Sequence, residues 1–290
     1  MSLQVWKTLF TDDLDLKQYL YHYTTIDKAI RIINSEQLWF SRLTNLNDTT
    51  ESKLKIAFNN ENLKSISIND KRTKEITKYL SESNDGIRLL CFSQDINLPK
   101  SQKTRALKFH KNHEKDKYFD FTGRGFALPR MWAQYASNHE GICFIVNKPK
   151  FDEKLKNLLY CRQSKVKYEN YFKPFSIDEK KLDSLYQQVT YYYSGDLSFF
   201  HFLTSDDHFV NYNYFTKQKD WENEHEYRYI SFVNHETKKE IKIENLFDFL
   251  EGIVIGEKID PAYESVIRNI VDNRCDIKKI HFCSGMRNLD

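Results

Sequence analysis

The chain has 290 residues, of which 40% are hydrophobic and 29% are charged, a composition typical of a soluble globular protein. Its 18 Tyr, 21 Phe and 4 Trp can build a large core, and with only 8 Gly and 5 Pro a collagenous or low-complexity chain is excluded. The net charge of +3 is close to balance, so any site for a polyanion must be local.

The first ten residues lack a basic segment followed by an apolar run, and no stretch approaches the roughly 18 apolar residues of a membrane helix. We therefore expect a cytoplasmic protein with no membrane partner; the oligomeric state stays open. The five cysteines form no C-x-x-C pair, and His281-x-Cys283 lacks a matching second half. No metal is expected.

The early part of the chain alternates strand and helix signals. Residues 19–24 (YLYHYT) predict a strand with a polar end, and apolar residues at helical spacing over 26–34 predict a helix with Thr25 as N-cap. The elements predicted after it are a short strand at 38–41, a polar turn at 45–49, a loosely helical polar segment from 51 to about 83, and a strand at 87–93.

The later part adds a helix, turn and strand over 131–146, a mainly helical, aromatic-rich segment at about 152–214, strands at 226–232 and 252–256, and a helix near 263–272. The strands are too short and uneven for a doubly wound sheet. We predict one α+β domain over residues 1–290, with mixed sheets of short strands.

A basic insert at about 95–125 separates the strand at 87–93 from the helix that follows. Its side chains Lys103, Arg105, Lys108 and Lys111 are candidates for contacts with nucleic-acid phosphates. The alternative is a solvated loop.

The segment 221–230 (WENEHEYRYI) carries the strongest chemical pattern. A strand from about Glu224 places Glu224, Glu226 and Arg228 on one face, with neighbours roughly 6.6 Å apart, close enough for both acids to address one sugar. The alternative is a solvated face with a Glu226–Arg228 ion pair. His22 and Thr24 end the first strand, and strand ends are where sites are built.

Six sequence motifs, in chain order, carry a family resemblance. They are LYHYTT (20–25), LWFS with LND (38–41, 46–48), CFS (91–93), MWAQYASNHEGIC (131–143), KQKDWENEHEYR (217–228) and GIVIG (252–256). Over nearly its whole length the chain resembles a bacterial family known only as domain of unknown function 2971. The basic insert departs from the spacing of that family, so the resemblance does not assign its role.

That family in turn resembles a distant branch of the ADP-ribosyltransferase fold, whose members carry a first-strand His-x-Thr/Ser and a late-strand Glu, often Glu-x-Glu. The matching positions here are His22-Tyr23-Thr24 and Glu224-His225-Glu226. The resemblance implies a split-sheet core and NAD as substrate. Tyr23 replaces the usual glycine, whose backbone holds the nicotinamide amide in relatives.

The resemblance also implies roles in cleavage of the nicotinamide N-glycosidic bond. Glu226 would accept a hydrogen bond from the ribose 2′-hydroxyl and stabilise the oxocarbenium-like charge. Glu224 would orient or deprotonate the acceptor, and Arg228 would hold Glu226 ionised or contact pyrophosphate.

The remaining implied roles concern NAD binding. His22 would donate a hydrogen bond to a ribose hydroxyl, and Thr24 would support His22. Ser93 would complete the floor of the NAD-binding site. Tyr135, or else Trp132, would stack on nicotinamide.

The implied function is transfer of ADP-ribose from NAD to a nucleic acid, a protein or water, in a toxin or an anti-phage defence effector. Two other classes stay open. One is a non-catalytic module that binds a nucleotide or nucleic acid, and the other is a structural or regulatory protein with an ion-paired strand face.

Overall fold

The protein is described by a computed structural model over residues 19–48, 50–53, 55–58, 67, 69–97, 121, 123–156, 161–171, 175–193, 206–233, 240–283 and 286–289. The four predicted phosphate-binding side chains of the basic insert, Lys103, Arg105, Lys108 and Lys111, lie outside these ranges. No helix within them is both long enough and apolar enough to cross a bilayer.

The α-helices are α1 (Ile26–Ser35), α2 (Lys71–Asp85), α3 (Pro129–Tyr135), α4 (Lys148–Leu155), α5 (Glu179–Tyr193), α6 (Asp207–Tyr214) and α7 (Pro261–Val271). The strands are β1 (Tyr19–Thr24), β2 (Leu38–Trp39), β3 (Ser41–Arg42), β4 (Ile56–Phe58), β5 (Ile87–Ser93), β6 (Ile142–Asn147), β7 (Arg162–Lys165), β8 (Lys167–Glu169), β9 (Phe175–Ile177), β10 (Thr216–Gln218), β11 (Glu226–Phe232), β12 (Lys242–Ile243), β13 (Leu250–Ile255), β14 (Asp276–Cys283) and β15 (Met286–Leu289).

A nine-stranded mixed sheet organises the described residues. Its order is β15-β14-β13-β6-β1-β5-β11-β7, with β3 also paired to β5. The pair β13–β14 is parallel and the other neighbours are antiparallel. The predicted mixed α+β class is confirmed.

The sheet splits beside β5, because β5 has three neighbours and a strand has only two edges that can form a ladder. One edge pairs with β11 along the whole of β5. The other edge is shared: β1 meets it at the single pair Tyr21↔Ser93, and β3 meets it at Leu89 and Arg88. β1 and β5 therefore separate next to Cys91.

Apolar side chains cover both faces of the sheet, as the period of two requires. On β1, Leu20 packs in a cluster with Phe144 of β6 and residues of α1, α4 and α7. Tyr21 points to the opposite face and packs with Trp132 of α3. Beyond the split, Leu89 packs against α2, α5 and α6.

The strands predicted at 19–24, 87–93 and 226–232 are confirmed with the same bounds, and the helix predicted at 26–34 is α1. The mainly helical reading of 152–214 is wrong in part, because β7, β8 and β9 lie within it. These strands are three or four residues long, too short to show a reliable period of two.

Candidate active site

A cavity of about 420 Å³ opens where β1 leaves β5. Its lining includes the predicted site residues His22, Tyr23, Thr24, Ser93, Tyr135, Glu224, Glu226 and Arg228. The first strand and the late acidic segment, some two hundred positions apart in the chain, therefore contribute to one hollow.

Glu226 and Arg228 point to the same face of β11, two residues apart, as the strand period predicts. The Arg228 Nε atom lies 2.5 Å from Glu226 Oε1 and its Nη2 atom lies 2.9 Å from Oε2. Both side chains are buried. Burial alone would raise the pKa of Glu226, but Arg228 and Lys217 outweigh it and lower that pKa to about 2.

Glu224 reaches the site by a different backbone route from the one predicted. The strand does not begin at Glu224; this residue ends a 3₁₀ turn (Lys219–Glu224), and His225 then adopts a left-handed conformation with φ of 47°. Glu224 accepts hydrogen bonds from the Tyr135 hydroxyl at 2.5 Å and from Lys217 Nζ at 2.7 Å. Burial raises the pKa of Glu224.

Two further charged residues, Lys217 and Glu51, complete the cluster, and the sequence analysis missed both. Lys217 Nζ lies 2.7 Å from Glu224, 3.2 Å from Glu226 and 3.1 Å from Glu51. Glu51 also forms an ion pair with Arg228. Burial opposes the charge on Lys217, but Glu226 and Glu51 raise its pKa and keep it ionised. We call these five residues the ionic cluster.

The ionic cluster holds three carboxylates and two cations, so its formal charge is negative when all are ionised. Lys217 lies inside the motif KQKDWENEHEYR, so its place in a motif of the family was a signal that could have identified it. Glu51 follows a turn-forming Asn-Asp-Thr-Thr segment, and nothing local in the sequence distinguishes it from a surface carboxylate.

His22 bridges the split in the sheet. Its Nδ1 atom lies 3.0 Å from the carbonyl oxygen of Cys91, which sits between the β1 and β3 pairings of β5. Burial lowers the pKa of His22, so the ring is neutral near pH 7, and a carbonyl partner requires the proton on Nδ1. Nε2 is then a hydrogen-bond acceptor, so the geometry disfavours the predicted donation to a ribose hydroxyl.

Ser93 is the pairing partner of both Tyr21 and Glu226 in neighbouring strands. Its hydroxyl is buried in the lining of the cavity and has no hydrogen-bond partner within the described ranges. A buried hydroxyl without a partner costs free energy, which a bound ligand would recover. This supports the predicted place of Ser93 in the floor.

Two predicted site residues are engaged in the core: Trp132 does not line the cavity, and Tyr23 lines it while its ring and hydroxyl contact core groups. Trp132 is fully buried, donates from Nε1 to the carbonyl of Phe126 at 2.8 Å, and is absent from the cavity lining, so its predicted stacking on a ligand is wrong. The Tyr23 ring packs edge-on against Trp132, and its hydroxyl donates to the Gly125 carbonyl at 2.7 Å. Tyr135 is the aromatic residue of α3 that lines the cavity.

The fold and site define an α+β protein with a buried ionic cluster in the split of a mixed sheet. Residues 131–229 match the family model described as "Protein of unknown function (DUF2971)", which confirms the predicted family over that stretch. No curated protein and no solved structure matches the chain.

The matched stretch is about a third of the chain and holds part of the site. The residues inside it are Tyr135, Lys217, Glu224, Glu226 and Arg228. His22, Glu51 and Ser93 come from outside it, so the complete cavity depends on segments beyond the match. Within the described residues, no group of three His, Cys, Asp or Glu side chains is arranged to hold a metal ion.

Proposed function

We propose that this protein is an ADP-ribosyltransferase-like enzyme that cleaves the nicotinamide N-glycosidic bond of NAD. ADP-ribose would pass to a nucleic acid or protein, or to water in a glycohydrolase reaction. The observation that carries the proposal is one cavity in which a carboxylate held ionised, Glu226, lies beside a second carboxylate with a raised pKa, Glu224.

Glu226 suits the first requirement of the reaction. Loss of nicotinamide leaves positive charge on the ribose, as in glycoside hydrolysis. A carboxylate that is already ionised and fixed in place stabilises this charge without reorganising at the moment of reaction. Arg228 and Lys217 supply both conditions, since they lower the pKa of Glu226 and hold its oxygens.

Glu224 suits the second requirement, a group that exchanges a proton with the acceptor. Neighbouring carboxylates whose environments push their pKa values apart are the usual basis for separate acid and base roles. The Tyr135 hydroxyl and Lys217 orient the Glu224 carboxylate, and the Tyr135 ring offers an apolar face to a planar leaving group.

The divergence of β1 from β5 also supports the proposal. A split sheet with a histidine from the first strand and a glutamate from a late strand is the arrangement that the resemblance implies. His22 and Glu226 both line the cavity at this split. A cellular role as a toxin or phage-defence effector belongs to the proposal and predicts growth arrest on expression.

A second candidate is a module that binds a nucleotide without cleaving it. The specific observation in its favour is that Arg228 and Lys217 occupy both oxygens of Glu226, as in a structural ion pair. Such a protein would bind NAD and leave it intact.

The test is incubation of the purified full chain with NAD, followed by chromatographic measurement of nicotinamide, alone and with RNA, DNA or cell lysate. Labelled NAD identifies the acceptor in the same reactions. Release of nicotinamide supports the enzyme. Binding of NAD without release under any of these conditions favours the second candidate.

A further inference from the structure

The exposed residues of the cavity lining, which we call its outer half, differ in charge from the buried ionic cluster. Lys28 and Arg31 both line it, one turn apart on α1, so their side chains share one side of the helix. Both are exposed. Within the described part of the chain neither charged group has a hydrogen bond or ion pair, whereas Lys217 and Arg228 are each committed to carboxylates.

An exposed aromatic side chain lies in the same outer half. Trp39 of β2 is 45% exposed and lines the cavity. Lys242 Nζ lies 4.3 Å from the centroid of its ring. Indole rings stack readily on planar bases, whatever the base.

One carboxylate outside the ionic cluster, the half-buried Asp48, also lines the cavity and would oppose an anion near it. Its Oδ1 atom accepts hydrogen bonds from the backbone NH of Thr50 at 2.8 Å and from the Thr50 hydroxyl at 2.6 Å. Asp48 is therefore engaged in its own turn, and the two cations outnumber it.

We propose that the outer half of the cavity is a subsite for a nucleoside diphosphate. Lys28 and Arg31 bind the phosphates, and Trp39 stacks on the base. With all its groups ionised the ionic cluster is net negative and repels phosphate, so the ligand binds with its diphosphate toward Lys28 and Arg31 and with the attached sugar toward the cluster.

The size of the cavity favours a free nucleotide over a polymer. Its volume of about 420 Å³ is within the range of roughly 300–1,000 Å³ found for small-molecule sites. The inference deepens the proposed function. Only one part of it rests on that function, namely that the sugar attached to the diphosphate binds at the ionic cluster.

Calorimetric titration of the full chain with ADP and with adenosine tests the subsite. The variant Lys28→Ala/Arg31→Ala should lower ADP affinity about tenfold or more, the scale of losing charge-assisted hydrogen bonds, and leave adenosine affinity unchanged. Trp39→Ala should weaken both ligands. Added NaCl should weaken ADP binding to the wild type more than to the double variant.

Lys71→Ala/Lys74→Ala is the matched control, because these exposed lysines have the same spacing on α2 and are absent from the cavity lining. It should bind ADP like the wild type. Equal ADP affinity in the wild type and the Lys28→Ala/Arg31→Ala variant would overturn the inference, as would no ADP binding at low salt.

Nicotinamide release, measured in parallel, separates this inference from the proposed function. NAD cleavage with ADP affinity insensitive to Lys28 and Arg31 would overturn the subsite and leave the enzyme standing. ADP binding that depends on both residues, without NAD cleavage, would support the subsite and count against the enzyme.

Discussion

His22 Nδ1 lies 3.0 Å from the carbonyl oxygen of Cys91, at the point where the backbone ladder between β1 and β5 ends. The imidazole thus takes the place of a backbone donor across the split. Cys91 continues the connection, because it is the pairing partner of Arg228 on β11. His22 thus has a structural hydrogen bond on Nδ1, and its Nε2 atom has no hydrogen-bond partner among the described residues.

This division predicts that two substitutions of His22 behave differently. In His22→Asn the side-chain amide can still donate to Cys91 but the Nε2 acceptor is lost, so stability should be kept and NAD turnover should fall. In His22→Phe the Cys91 carbonyl also loses its donor, which should lower the free energy of unfolding by about 1–3 kcal/mol. Urea denaturation and nicotinamide release measure the two effects. Equal stability of the two variants would contradict the bridging role.

Arg228 should be essential to stability as well as to the charge of Glu226. Arg228→Met leaves Glu226 and Glu51 buried with Lys217 as the remaining cation of the ionic cluster, and should lower the free energy of unfolding by about 3–5 kcal/mol. The control Arg268→Met breaks the more exposed pair with Glu264 and should cost below about 1 kcal/mol. Similar losses in the two variants, measured by urea denaturation, would show that the ionic cluster contributes little.

Glu226 and Glu224 should change the pH dependence of stability in opposite directions. Glu226 has a pKa lowered to about 2 in the folded protein, so its stabilising contribution is complete above its ordinary pKa of 4.5 and is lost as the pH falls toward 2. Glu226→Gln should therefore flatten the acid limb of stability between these values. Denaturation midpoints measured from pH 6 to pH 2 check this, and an unchanged slope would contradict it.

Glu224 has a raised pKa, so the folded state holds its proton more tightly than the unfolded state. Its contribution to stability therefore decreases as the pH rises above the ordinary value of 4.5. Glu224→Gln should remove that decrease. In the same series of denaturation midpoints, this variant should lose less stability than the wild type as the pH rises above 4.5. A larger loss in Glu224→Gln would contradict the raised pKa.

The basic insert carries a prediction from sequence alone. Charge reversal at Lys103, Lys108 and Lys111 should weaken binding to RNA or DNA and reduce its dependence on salt, because fewer phosphate contacts release fewer counterions. Filter binding at several salt concentrations measures both. Reversal of Lys71 and Lys74 on α2 is the control, and equal affinities in all three proteins would identify the insert as a solvated loop.

Local patterns predicted the elements that carry the site. The strand at 19–24 is predicted from an apolar run with a polar end, and the strand at 226–232 from the alternation of charged and aromatic residues over 226–229. They also placed Glu226 and Arg228 on one face. Glu224 was placed on the same strand wrongly, because no pattern of side-chain polarity shows that His225 adopts a positive φ.

Tertiary contacts decided the rest. Glu51 and Lys217 meet through the packing of segments far apart in the chain, so no spacing rule could pair them. Trp132 and Tyr135 sit on one short helix, and only the packing of α3 against β1 shows which of them faces the core. Sequence therefore identified the site residues on strands better than those on turns and on α3.

The most direct test of the central claim is nicotinamide release from NAD by Glu226→Gln, with Glu222→Gln, an exposed glutamate of the same segment, as the control. We expect Glu226→Gln to lose about a hundredfold or more in kcat while binding NAD nearly as well as the wild type, because it removes a transition-state stabiliser. Glu222→Gln should keep wild-type turnover. Wild-type turnover in Glu226→Gln would contradict the assignment of Glu226.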